Sequence, residues 1–128
     1  MAQDIMSNAI LIIDDEKSFA NLLGLILSEY DFTVKIANNV GQAFKALNQF
    51  RPDIVLLDVK LPHNNEGLDF LKKLRNIPEH RQTPVIILSA KVQLHEVNAG
   101  IEAGASLYLC KPILIDEVIK HIKRFMPK

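Results

Sequence analysis

The sequence predicts an α/β fold: a doubly wound, five-stranded parallel sheet with helices on both faces. Three observations carry this. Five short apolar runs alternate with five stretches of helical apolar spacing. Most of the runs are apolar at nearly every position, as strands are when both faces of a parallel sheet are covered. The chain has 128 residues and is 48% hydrophobic, enough for one packed core without disulfide staples. Alternating strands and helices joined by right-handed crossovers build an open sheet with helices on both sides.

The elements follow in order. "AILII", Ala9 to Ile13, is the first strand. Phe19, Leu22, Leu23, Ile26, Leu27 and Tyr30 are spaced as one face of the first helix. "FTVKIA", Phe32 to Ala37, is a second strand with partial alternation. Val40, Ala43, Phe44 and Leu47 mark a helix that Asn39 is placed to cap. "DIVLL", Asp53 to Leu57, is a buried strand entered through Arg51 and Pro52. Leu68, Leu71 and Leu74 stripe the third helix. "PVIIL", Pro84 to Leu88, is the fourth strand. A weaker helix spans Leu94 to Ala103, ended by Gly104. "SLYLC", Ser106 to Cys110, is the fifth strand, and Ile115, Val118, Ile119 and Ile122 face the core from a last helix. Five such units best suit the flavodoxin-like strand order 2-1-3-4-5. Residues 8–126 form one domain, with residues 1–7 a short N-terminal extension.

Composition narrows the function. Lys plus Arg equals Asp plus Glu at 15 each, so no broad basic field exists to hold nucleic acid directly. One cysteine, Cys110, excludes an internal disulfide and fits a reducing compartment. His63, His80, His95 and His121 lack metal-ligand spacing. No apolar run approaches the ~18 residues of a membrane span, and the start "MAQDIMSNA" lacks a signal-peptide pattern. The expectation is a soluble cytoplasmic protein that does not meet a membrane.

The polar residues then stand out by position. Asp14, Asp15 and Glu16 follow the first strand, Asp58 the third, Ser89 the fourth, and Lys111 with Pro112 the fifth. Open α/β sheets bind ligands outside the carboxyl ends of their strands, at the switch point of strand order. With strands one and three adjacent, Asp14, Asp15 and Asp58 share one pocket. At ~4 Å and an effective dielectric near 20, each carboxylate pair repels by roughly 4 kcal/mol before screening. A proton or a hard divalent cation would relieve this, and Mg²⁺ takes carboxylates, waters and phosphate oxygens. A carboxylate is also a nucleophile toward phosphorus. Mg²⁺, Lys111 and the Ser89 hydroxyl would each take one phosphoryl oxygen, which makes Asp58 the candidate phosphoacceptor. Singly, each residue has a plainer explanation: an Asp that starts a loop, a Ser that caps a helix, a solvated Lys. Four separate segments delivering the needed types to one edge is what outweighs it.

These residues resemble the receiver domains of two-component response regulators, over roughly Asn8 to Met126. "ILIIDDEKSF" is similar to the family's opening strand and acidic pair, and "PDIVLLDVKLP" to its phosphoacceptor segment. "TPVIILSA" is similar to the fourth strand with its Ser/Thr, and "GIEAGASLYLCKP" to the fifth with its Lys-Pro. The resemblance implies that Asp14 and Asp15 help bind Mg²⁺, Asp58 accepts the phosphoryl group, and the Lys60 backbone carbonyl completes the metal shell. It implies that Ser89 and Lys111 contact the phosphate, that Tyr108 is the switch aromatic, and that the Lys111–Pro112 bond is cis. The loop "HNNEG" after Pro62 is one residue longer than the usual spacing to its glycine, Gly67. Ser106-Leu107 replaces an often acidic pair. The resemblance implies that Lys60 and Lys91, each two residues beyond a site residue, occupy positions that tune phosphoryl lifetime; the plainer alternative is two solvated lysines with little effect.

The implied function is a signalling switch rather than a metabolic enzyme. A histidine kinase or histidine phosphotransfer protein donates the phosphoryl group, and a downstream output domain or partner protein reads the result. The reading surface is helix four, strand five and helix five, with Gln93, Glu96, Glu117 and Lys120 exposed. Gly100 in helix four either weakens that helix or permits close packing. Two alternatives compete. Asp-nucleophile phosphatases resemble a D-x-D pattern with an acid two residues on, where this chain has Lys60. A phosphate-independent interaction domain would keep the fold without using the site. The chain is either a stand-alone receiver or one cut from a longer protein.

Overall fold

The computed structural model describes residues 8–59, 66–91 and 93–126. Five parallel strands form one sheet in the order β2-β1-β3-β4-β5. They are β1 (Ala9–Ile13), β2 (Thr33–Ala37), β3 (Ile54–Leu57), β4 (Val85–Ser89) and β5 (Leu107–Cys110). The helices are α1 (Lys17–Ser28), α2 (Val40–Leu47), α3 (Glu66–Arg75), α4 (Leu94–Ala103) and α5 (Ile115–Phe125). This is the doubly wound arrangement and the strand order that the sequence predicts.

The sheet separates two cores, because successive strand residues face opposite sides. Ile10, Ile12, Ile54, Leu56, Ile86 and Leu88 pack against Ala20, Leu23 and Leu27 of α1 and Val118, Ile119 and Ile122 of α5. Leu11, Ile13, Val55, Leu57, Val85 and Ile87 pack against α2, α3 and α4 through Ala43, Ala46, Phe70, Leu71, Leu74 and Ala103. Strands buried on both sides need apolar residues at every position, which is why they read as unbroken runs.

Ends were set by local hydrogen bonds. Asn39 caps α2 by accepting from the Gln42 amide at 2.8 Å, as expected. Gly104 ends α4 in a left-handed conformation with φ 119°. Asp53, read as a strand residue, instead stands before β3, where its carboxylate accepts from the Ala9 amide at 2.9 Å. Leu22 and Tyr30, read on the buried face of α1, are 56% and 45% exposed. The inward face is made partly of Ala20 and Gly24, and a Cβ on Gly24 would lie 3.0 Å from the Ile36 side chain.

A short 3₁₀ turn at Pro78–His80 was not anticipated. Arg75, at the end of α3, organises it. Its guanidinium donates to the carbonyls of His80 (2.8 Å), Thr83 (2.7 Å) and Gly104 (3.0 and 2.7 Å). The buried His80 ring pairs with the Thr83 hydroxyl at 2.9 Å, and burial holds its pKa below the ordinary value. These contacts lie at the start of β4, so they fix the sheet's amino end and leave its carboxyl end to the site.

Candidate functional site

The register brings the strand ends level. Ile13 pairs with Leu57, and Ser89 with Cys110. The next residue on each strand therefore emerges at one edge. The Asp58 amide donates to the Ile13 carbonyl at 2.9 Å, and the Lys111 amide to the Ser89 carbonyl at 2.7 Å. These two bonds carry the ladder one step past the strands and aim Asp58 and Lys111 into the same cleft. Asp15, Glu16, Asp58, Ala90 and Lys111 line it.

Asp14, Asp15 and Asp58 each offer a carboxylate oxygen, all within 4.8 Å of one another. Their environments differ. Asp14 and Asp58 are buried and Asp15 is exposed. Asp14 accepts from the Glu16 amide at 2.9 Å, while its own carbonyl takes the Asn38 side-chain amide at 2.9 Å. These bonds fix the turn between β1 and α1. The donor set is all hard oxygen, which suits Mg²⁺ and not a softer metal that favours sulfur or imidazole.

The Lys111 ammonium answers two of these acids. Lys111 Nζ lies 3.2 Å from Asp14 Oδ2 and 3.6 Å from Asp58 Oδ2. It also stands over the Phe19 ring, 4.3 Å from its centroid. Phe19 came out of the sequence only as an apolar residue of α1; nothing in its spacing marked a contact with a lysine 92 positions on. The Lys111–Pro112 bond is cis, as the resemblance implied.

Ser89 is fully buried, and its Oγ accepts from the Lys91 amide at 3.1 Å. The Lys91 carbonyl in turn accepts from the Tyr108 hydroxyl at 2.9 Å. One peptide segment therefore links Ser89 to Tyr108. A hydroxyl that accepts from Lys91 still has its proton to donate elsewhere. Burial pushes the half-buried Tyr108 phenol above its ordinary pKa, with the Ser89 hydroxyl working against that rise. The Tyr108 ring packs on Gly100: a Cβ there would meet it at 3.0 Å and Ile87 at 2.8 Å. Close packing, rather than a weak helix, accounts for Gly100.

Other expected residues fall as follows. Lys91 reaches Glu96 at 3.7 Å. Glu96 is consequently half-buried, whereas Gln93, Glu117 and Lys120 are exposed as expected. Ser106 ties β5 to β4: its amide donates to the Val85 carbonyl at 2.8 Å and its Oγ accepts from the Val85 amide at 3.1 Å. Gly67 lets α3 lie against the site, since a Cβ would come within 2.7 Å of Val59 Cα and 3.2 Å of the Asp58 carbonyl. The Lys60 carbonyl and His63 lie outside the described residues.

Comparison with known proteins agrees with this fold. The family model for the response regulator receiver domain matches residues 10–123. DNA-binding response regulator MtrA of Mycolicibacterium smegmatis is 34% identical over 94% of this chain and 51% of its own length. Transcriptional regulatory protein SrrA of Staphylococcus aureus is 36% identical over 94% and 48% respectively. The chain thus spans about half the length of these curated relatives. The receiver domain of the Francisella response regulator 1452 superposes with a TM-score of 0.83 at 30% identity, covering 92% of this chain and 95% of that one. The BeF₃-activated DrrB receiver domain superposes with a TM-score of 0.81 at 27% identity, covering 94% and 97%. No helix among the described residues is long and apolar enough to cross a membrane.

Proposed function

The chain belongs to the response regulator receiver domain family, and on that footing we propose that it is a phosphorylation switch whose acceptor is Asp58. The observation that carries the reading is that Asp58 belongs to a carboxylate cluster and lies 3.6 Å from the Lys111 ammonium. An Asp58 carboxylate oxygen attacks the phosphorus of a phosphohistidine. The P–O bond forms, the P–N bond breaks, and its electron pair leaves on the imidazole, which is protonated as it departs. Asp14, Asp15 and Asp58 would hold Mg²⁺, with the Lys60 carbonyl as a further ligand. The bound cation supplies positive charge that offsets the acids and the phosphoryl oxygens. Lys111 balances a second oxygen, and the Ser89 hydroxyl donates to a third. Attack of water on phosphorus later breaks the P–O bond, returning the Asp58 carboxylate and inorganic phosphate.

The donor is a histidine kinase or a histidine phosphotransfer protein, and the place of action is the cytoplasm. Residues 8–126 act as one domain. When Ser89 turns toward the phosphoryl group, Lys91 and Tyr108 follow through their shared bonds, and α4, β5 and α5 present an altered face to an output domain or partner protein. The zero net charge gives no support for direct nucleic-acid binding by this segment. Intact-mass spectrometry after incubation with acetyl phosphate and Mg²⁺ is the test. One phosphoryl adduct is expected, lost in Asp58→Asn and on chelating the metal. An adduct undiminished in Asp58→Asn overturns the assignment, and no adduct at all leaves a phosphate-independent interaction domain.

A further inference from the structure

We propose that Phe19 is a positioning residue for phosphoryl transfer, its ring face holding the Lys111 ammonium at the mouth of the cleft. The inference rests on the Asp58 reading above and concerns how Lys111 stays in place while the site around it changes charge.

Among the described residues Lys111 has three partners, on three separate segments. Two are Asp14 and Asp58, at 3.2 and 3.6 Å. The third is the Phe19 ring, 4.3 Å from Nζ to the centroid, well inside the ~6 Å reach of a cation–π contact. The two carboxylates are the groups that metal binding and phosphorylation claim. Once Asp14 faces a divalent cation it no longer offers Lys111 what it offers now, and Asp58 offers it a phosphoryl oxygen in place of a carboxylate. The ring is unaffected by either event. It is neutral, so it does not compete for the metal, and its quadrupole still attracts the ammonium.

The ring is well placed to act as a fixed support. Phe19 lies in the first turn of α1 and packs against the core shared by α1 and α5. A lysine stem is long and flexible, and a support on a rigid helix narrows the positions its ammonium samples. An aliphatic residue at position 19 would fill the same space without attracting the charge.

The test separates attraction from packing. Phe19 is replaced in the full chain by mono-, di- and trifluorophenylalanine, which keep the ring's shape and progressively weaken its negative face. Phe19→Leu is the aliphatic end of the series. The rate of Asp58 phosphorylation by acetyl phosphate is measured at saturating Mg²⁺, with a thermal melt of each variant. The rate should fall stepwise with fluorination, by about two- to five-fold at the end of the series, while the melting temperatures of the fluorinated proteins stay together. A flat rate series with wild-type phosphorylation intact overturns the inference and leaves Asp58 as acceptor. If the unaltered protein takes up no phosphoryl group, the Asp58 reading fails and this inference falls with it.

Discussion

Asp14 and Asp15 are neighbours in sequence and opposites in setting. Asp14 is 2% exposed and tied to Lys111 and the Glu16 amide; Asp15 faces water. Removing Lys111 strands a buried carboxylate, whereas neutralising Asp15 removes a charge that water already screens. Lys111→Ala should therefore destabilise the metal-free protein by about 1–3 kcal/mol, and Asp15→Asn should melt at or slightly above wild type. Thermal melts in chelator decide it; a large loss in Asp15→Asn would make that carboxylate a structural partner. At this scale the sequence was legible in its placing of Asp14, Asp58, Ser89 and Lys111, each at or just past the carboxyl end of a strand. Arg75 was not legible. An arginine closing a polar-faced helix reads as solvated, and its carbonyl partner at Gly104 lies 29 positions away.

Elements were legible in proportion to their apolar content. The strands matched within a residue or so; β1, β3 and β4 are covered on both sides and leave few polar positions to blur their ends. The Pro78–His80 turn left no such trace, since it is held by backbone carbonyls and one guanidinium. The inward face of α1 was overdrawn, because Ala20 and Gly24 face the sheet and hydropathy undervalues small residues. Smallness matters most where α3 approaches the site. At Gly67 a methyl would press on the Val59 backbone at 2.7 Å, and backbone yields less readily than a side-chain tip. Gly67→Ala should push α3 away or displace the Asp58–Val59 segment, slowing acetyl-phosphate labelling by about ten-fold, the equivalent of ~1.4 kcal/mol of lost positioning. A labelling rate equal to wild type would show that the segment accommodates the methyl without moving Asp58.

For the whole molecule, composition could not order the strands; five strand–helix units suggested 2-1-3-4-5, and the gathering of Asp14, Asp15 and Asp58 at one edge supported it. Loading that edge should stabilise the entire fold. Beryllofluoride with Mg²⁺, at a hundred times its dissociation constant, contributes about 2.7 kcal/mol, which for a chain of this length lifts Tm by roughly 10 °C. Beryllofluoride without Mg²⁺ should leave Tm where it was, and equal melts under both conditions would sink the metal-dependent reading. Amide shifts under the same loading should extend beyond Asp58 to Lys91, Tyr108 and α4. How α4 responds depends on its two ends. Arg75 grips the Gly104 carbonyl with two nitrogens, while Gln93 at the other end provides no side-chain cap. A rod pinned at one end and loosely tied at the other swings rather than slides. Its ten residues, at ~1.5 Å each, make a lever of about 15 Å. A push of about 1 Å at the Gln93 end then becomes a tilt of roughly 4° about a fulcrum at Gly104.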